Sequence, residues 1–400
     1  MDQRCAIVGT PAKDPAPRRG TVVLLLRNTS GNIGGIERQI LQIASGLQQV
    51  GRFQPILATN SAQAAFAQAF ADLGLPVEEC PHLSGSTLSA ARELASVARR
   101  RGARLIQSHQ FRESIVARYA RFLNGDLCHI SRVHTYIDCS WIPGWKKSAY
   151  HALERLTSRG VDHYVPISHD VARELAERSG IQPARITVVP DGVRQAGAPD
   201  APDLSPTPLS PRLAMVSNFV EHKGHEVLVR CLAALKAQGL IVRARLVGGE
   251  GTGGPQRGDG PVTARVRSLA AEAGVLDQME FFGYSENVYE AIRDIPLIVL
   301  PSDSEGLPNC ILEAMSLRKI VAVSRVGGVP EILTQGVNGL LHAPQDHLGL
   351  AALIARVFST PARDWEALRN QALATWRDRF SEATLRENLI AVYQHLGVIQ

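Results

Sequence analysis

Two carboxylates, Glu305 and Glu313, stand in the stretch LPSDSEGLPNCILEAM. The apolar run Leu297 to Leu300 before them is too short for a buried helix, and it closes with Pro301, Ser302 and Asp303, as a parallel strand does at its C-terminal end. Gly306 and Pro308 then open a helix, because proline at a first helical position gives up no N–H that the helix needs. Glu305 is therefore expected in the loop and Glu313 about a turn and a half into the helix. Between them lie the free N–H groups of a helix N-terminus, which attract anions, while carboxylates accept hydrogen bonds from sugar hydroxyls. A capped helix with two solvated acids fits the same positions.

Three other places carry groups of the same kind. Gly34 and Gly35 follow the apolar run Thr21 to Leu26 and precede a helical pattern from Ile36 to Leu47. Strand, glycine loop and helix form a phosphate-binding arrangement, and glycine lets backbone N–H groups approach a diphosphate; a tight turn explains the pair equally. His109 in IQSHQF and His134 in SRVHTY fall at strand ends, where a histidine either meets ligand or bonds neighbouring backbone. Lys223 precedes a helical pattern in VEHKGHEVLV and reads either as a phosphate contact or as a solvated lysine.

The string SEGLPNCILEAM, followed by GGVPEIL, resembles the EX7E donor-sugar motif of the retaining nucleotide-sugar glycosyltransferases of glycosyltransferase family 4. The resemblance implies that Glu305 contacts hydroxyls of the transferred sugar and Glu313 the ribose, with Gly306 and Leu307 also on the donor. GGIERQ resembles the loop that lines the diphosphate, which gives Gly34 and Gly35 that role. RVHTY resembles the segment whose histidine, here His134, lies against the donor sugar, and His109 is placed on the acceptor side. VSNFVEHKGHEVLV resembles the segment that brings an arginine and a lysine to the diphosphate; Lys223 matches the lysine, while Asn218 stands where the arginine is expected. An amide can hydrogen-bond a phosphate but cannot balance its charge, so Lys223 must suffice or Arg27 or Arg325 must help. Gly283 and Tyr284 in FFGYSENVYEAI resemble the base-binding edge. In VVPDGV the family usually has asparagine where this chain has Asp191, a change expected to matter little.

These residues need a scaffold, and the chain alternates strand and helix patterns twice. Strands are expected near Pro55 to Thr59, Val77 to Cys80, Arg104 to Ser108, His129 to His134, His163 to Ser168 and Ile186 to Pro190, with helices between; a second series starts at Arg212 and includes a helical pattern from Asn287 to Arg293. Repeated βα units mean parallel sheets, with ligands beyond the carboxyl ends of the strands. The expected fold class is α/β, GT-B: two Rossmann-like doubly wound domains facing a central cleft. Its parts are an N-terminal arm at 1–19, a first domain at 20–194 on the acceptor side and a linker at 195–211 rich in proline, alanine and aspartate. A nucleotide-sugar domain follows at 212–379, and a last helix at 380–400 that the resemblance returns to the first domain. The glycine-dense stretch Gly248 to Gly260 lacks a dinucleotide spacing and is expected as a turn with an insertion.

Four hundred residues suit two domains, and a net charge of +5 suits acidic partners such as nucleotide phosphates or anionic lipid; no nucleic-acid role is expected. The six cysteines are scattered, as reduced thiols of a cytosolic protein are. No signal peptide or membrane span is expected. Trp141 and Trp145 beside Lys146 and Lys147 fit a peripheral contact with the inner face of the cell membrane, or a loop with one tryptophan in the core. The implied reaction is sugar transfer from a UDP-sugar or GDP-sugar to a saccharide or lipid-linked acceptor of a bacterial surface polysaccharide or glycolipid. It is expected to need no cofactor and no metal, with Asp303 a strand-end or capping residue rather than part of a metal-binding pair. A non-catalytic nucleotide-sugar-binding protein and a sugar-nucleotide epimerase remain as alternatives, Asn218 being the hint toward the first.

Overall fold

In the computed structural model, residues 21–25, 33–135, 143–195, 207–251 and 260–398 are described. The N-terminal arm, Arg27, Trp141, most of the linker and most of the 248–260 insertion lie outside the described residues. The chain divides into two units, one formed by Met1–Asp191 with Glu382–Gln400 and the other by Gly192–Ser381.

Apolar runs without alternation form strands such as Thr21–Leu25, Leu297–Leu300 and Ile320–Ser324, because helices cover both faces of each sheet. In the first unit β1 (Thr21–Leu25), β2 (Gln54–Thr59), β3 (Val77–Glu79), β4 (Leu105–Ser108), β5 (Cys128–Val133) and β6 (His163–Pro166) make one six-stranded sheet. Its order is β3-β2-β1-β4-β5-β6, and its pairings are parallel, with Leu24 opposite Gln107 and Ile106 opposite His129. In the second unit β7 (Arg212–Val216), β8 (Arg243–Val247), β9 (Met279–Gly283), β10 (Leu297–Leu300), β11 (Ile320–Ser324) and β12 (Leu340–His342) repeat the plan in the order β12-β11-β10-β7-β8-β9. Chain direction reverses across the sheet between β1 and β4, and again between β7 and β10, so a crevice opens at the carboxyl ends there in each unit.

The helices cover these sheets with small and branched side chains. Helix Thr87–Arg100 buries Ala90, Ala91, Leu94, Ala95, Val97 and Ala98 against one face of the first sheet. The opposite face takes Ile40, Ile43 and Leu47 from helix Gly35–Val50, together with Leu385, Leu389, Val392 and Tyr393 from the last helix, Glu382–His395. The chain thus leaves the first unit at Asp191 and supplies its last helix from Glu382 onward.

Three elements differ from expectation. Residues 186–190 form no strand: beside β6 at the sheet edge they make one isolated bridge, Ile186 to Tyr164, with the Thr187 and Val189 N–H groups donating to the Tyr164 and Pro166 carbonyls, and the run ends in Pro190, which has no N–H to donate. The helix expected over 287–293 is shorter, Val288–Ala291. The helix carrying Glu313 spans Asn309–Ser316, and Pro308 caps it in extended conformation instead of opening it.

Candidate functional site

In the second unit the predicted residues collect on the loops after β7 and β10. Lys223 donates from Nζ to Oε1 of Glu305 at 2.8 Å, with the glutamate side chain 7% exposed and the lysine 23%. Neither is a solvated surface group. The loops are held together by backbone: the Asp303 N–H donates to the His222 carbonyl at 2.8 Å, and the Ser302 hydroxyl donates to the Lys223 carbonyl at 3.5 Å. Gly224 makes this approach possible. Its φ is +80°, and a Cβ there would lie 1.9 Å from the Pro301 carbonyl oxygen, so only glycine fits. The sequence reading passed over Gly224, although a glycine between a lysine and a helix start was the visible signal.

Glu313 is buried in helix Asn309–Ser316. Burial pushes the Cys310 thiol up, the Glu305 and Glu313 carboxylates push it further, and Lys223 opposes them. All three predicted charges therefore act on one point at the helix N-terminus. Leu307 is buried and Gly306 half-buried on the same loop, while Asn218 is exposed past the end of β7. Gly283 ends β9 at φ +81°, and its carbonyl accepts from Gly248 N–H at 2.9 Å, with Tyr284 half-buried beside it. Arg325 is exposed at the end of β11. Asp303 accepts from Gln345 Nε2 at 2.5 Å and caps no helix. Among the described residues no group of three or more His, Cys, Asp or Glu side chains is arranged to hold a metal ion.

In the first unit His109 and His134 meet. His109 Nδ1 lies 3.1 Å from His134 Nε2, and the rings are stacked at 5.4 Å. His109 is fully buried, and burial first, then the neighbouring His134 ring and the Arg132 guanidinium, hold its imidazole well below the usual histidine range. The pair lines a cavity of about 480 Å³ with Phe111, Arg112, Tyr150 and Glu174.

Asp191, where a change was expected to matter little, is drawn into the same cluster. It is buried, and one carboxylate oxygen accepts from Arg132 Nη2 at 2.6 Å while the other lies 3.5 Å from His134 Nδ1. Burial alone would raise its carboxyl, but its neighbours His134 and Arg132 and the hydrogen bonds they donate outweigh this and hold it below the usual aspartate range. Arg132 and His134 lie two residues apart along β5 and its exit, hence on one face; that spacing was the missed signal.

The glycine loop also departs from expectation. Gly35 is the first residue of its helix, and the Gly34 N–H, expected to await a diphosphate, donates to Glu37 Oε2 at 3.0 Å. An acid at the third helical position reaches back to the cap in this way. Burial raises the Glu37 carboxyl above its ordinary value.

Residues 33–196 match the family Glycosyltransferase Family 4, and residues 207–373 match the family Glycosyl transferases group 1. The putative colanic acid biosynthesis glycosyltransferase WcaL of Salmonella typhimurium is 27% identical over 256 residues, 60% of this chain and 58% of that protein. The chain thus spans less than two thirds of that relative. The putative glycosyltransferase EpsF of Bacillus subtilis is 23% identical across 92% of both chains. Among solved structures, HepE of Anabaena in complex with UDP and glucose superposes with a TM-score of 0.77 at 19% identity, covering 93% of this chain and 99% of that one; at that identity the likeness speaks for the fold.

Proposed function

Because the chain belongs to the glycosyltransferases, Family 4 over its first sheet and group 1 over its second, with the paired Rossmann-like sheets of the GT-B fold, we propose that it is a retaining hexosyltransferase. It moves a sugar from a UDP-sugar or GDP-sugar to a saccharide or lipid-linked acceptor of a bacterial surface polysaccharide or glycolipid. The observation that carries this reading is the part-buried Lys223–Glu305 pair at the reversal point of the second sheet, beside the helix that bears Glu313.

Breaking the bond from anomeric carbon to phosphate builds negative charge on the leaving diphosphate and positive charge on the sugar. Lys223 and the N–H groups that open helix Asn309–Ser316 meet the first, and Glu305 accepts hydroxyls of the second. Front-face attack within an ion pair is the course that fits this reading, without a divalent metal. The acceptor side falls to the cavity of the first unit. The enzyme works at the cytoplasmic face of the membrane, touching it through the helix that begins at Gly144; among the described residues no helix is long and apolar enough to cross a membrane.

A thermal-shift screen of nucleotide sugars identifies the donor, and transfer is then measured in excess chelator. Glu305→Gln and Lys223→Ala are expected to lose transfer by at least about a hundredfold with their unfolding temperatures near wild type. Wild-type rates in both variants would remove these roles, and inhibition by chelator relieved by manganese would remove the metal-free course.

A further inference from the structure

Inside the first unit six polar side chains form one row in which each hydrogen bond fixes the next. The Tyr393 hydroxyl donates to Gln107 Oε1 at 2.6 Å, which turns the Gln107 amide nitrogen toward His109 Nε2 at 3.0 Å. That ring nitrogen must then accept. Burial keeps His109 neutral, so its single proton sits on Nδ1 and is donated to His134 Nε2 at 3.1 Å. His134 in turn carries its proton on Nδ1, facing Asp191 at 3.5 Å, and the other oxygen of Asp191 takes Arg132 at 2.6 Å.

We infer that Asp191 is a positioning residue for sugar transfer: with Arg132 as its counter-ion, it holds His134 as the Nδ1–H tautomer with the ring fixed at the wall of the cavity. A carboxylate is required because it has two oxygens for two donors. The asparagine usual in resembling sequences offers one oxygen, which Arg132 would take, leaving an N–H₂ against His134 and a buried guanidinium without counter-charge. Arg132 depends on this partner, since its Nε and Nη1 are buried and without hydrogen-bond partners. The two acids that line the cavity are engaged elsewhere: Glu154 takes Arg118 and the Tyr164 hydroxyl, and Glu174 lies 3.9 Å from His151 Nε2.

The inference rests on the transferase reading only in its kinetic arm. The first arm is long-range proton–nitrogen NMR on the ¹⁵N-histidine-labelled full chain, with the His134 signal assigned by its loss in His134→Gln. The wild-type ring is expected as the Nδ1–H tautomer, and Asp191→Asn is expected to displace it. With the donor identified, Asp191→Asn should lower kcat on the order of a hundredfold, the scale of a misplaced group, with little change in donor KM. Arg132→Met added to Asp191→Asn frees the amide oxygen for His134, so the double variant should regain the Nδ1–H tautomer and most of the lost kcat. An Nε2–H tautomer in the wild-type protein would overturn the inference without recourse to any variant. Retention of both tautomer and kcat in Asp191→Asn would overturn it as well, and a double variant no better than the single would do the same. If no nucleotide sugar is turned over, the tautomer still decides the matter, so the two failures are distinguishable.

Discussion

His129 on β5 is fully buried, with Nδ1 2.8 Å from the Gly160 carbonyl and Nε2 2.9 Å from the Ser108 hydroxyl. Burial pushes its imidazole down to about 3, and burial does the same to His225, stacked on Phe219 at 4.3 Å. A histidine held below its ordinary value of 6.5 stays neutral in the fold while the unfolded chain takes up a proton, so its contribution is complete above pH 6.5 and is lost as pH falls toward 3. Each such residue removes about 1.4 kcal/mol of stability per pH unit in that window. Urea unfolding followed between pH 7 and 4.5 should show stability falling with acid, and His129→Gln should fall less steeply by about that amount per unit. Equal slopes in the two proteins would mean that His129 charges within the fold. At this scale the residue types were legible but their partners were not. Glu305 and Lys223 were both singled out, yet nothing in either segment says that they touch across 82 positions; that contact is made by the sheet order. Asp191 was seen and set aside for the same reason, since its meaning depends on Arg132, 59 positions earlier.

Elements were more legible than contacts, because strands and helices are written in local periodicity. The strands of the central pair β7 and β10 were placed within a residue or two, since buried parallel strands are uninterrupted apolar runs. Edges were harder: residues 186–190 carry a strand's composition but bond on one side only, a fact that no local pattern records. The helix Gly144–Thr157 shows the opposite case, an element whose pattern does not suit a core. Trp145 is 72% exposed and Leu156 79%, and Lys146 lies 5.4 Å from the Trp145 ring. Exposed apolar rings beside lysines are what an interfacial helix presents to anionic lipid. Sedimentation with vesicles containing phosphatidylglycerol should pull down the wild-type chain, and Trp145→Ser with Leu156→Ser should reduce the bound fraction. Equal binding by the variant, or none by the wild type, would withdraw this helix from the membrane.

On the scale of the molecule, the arrangement that matters for stability is the return of the last helix. Two repeats of one sheet plan follow from the alternation of patterns, but where the chain ends up is a tertiary fact. Leu385, Leu389, Val392 and Tyr393 sit within the core on one face of the first sheet, between 0% and 5% exposed, and the Tyr393 ring meets Phe53 at 5.8 Å. Burying an apolar side chain of this size stabilises by about 1.5–3 kcal/mol, so the four together approach the whole stability of an ordinary domain, about 5–15 kcal/mol. A chain ending at Ser381 should therefore lose the first unit while the second, whose core draws on none of these residues, keeps its fold. Hydrogen exchange read by mass spectrometry separates the outcomes. Fast exchange through β1, β2 and β4, with protection kept in β7, β10 and β11, is the expected result. Protection undiminished in the first sheet would show that its core closes without the returning helix.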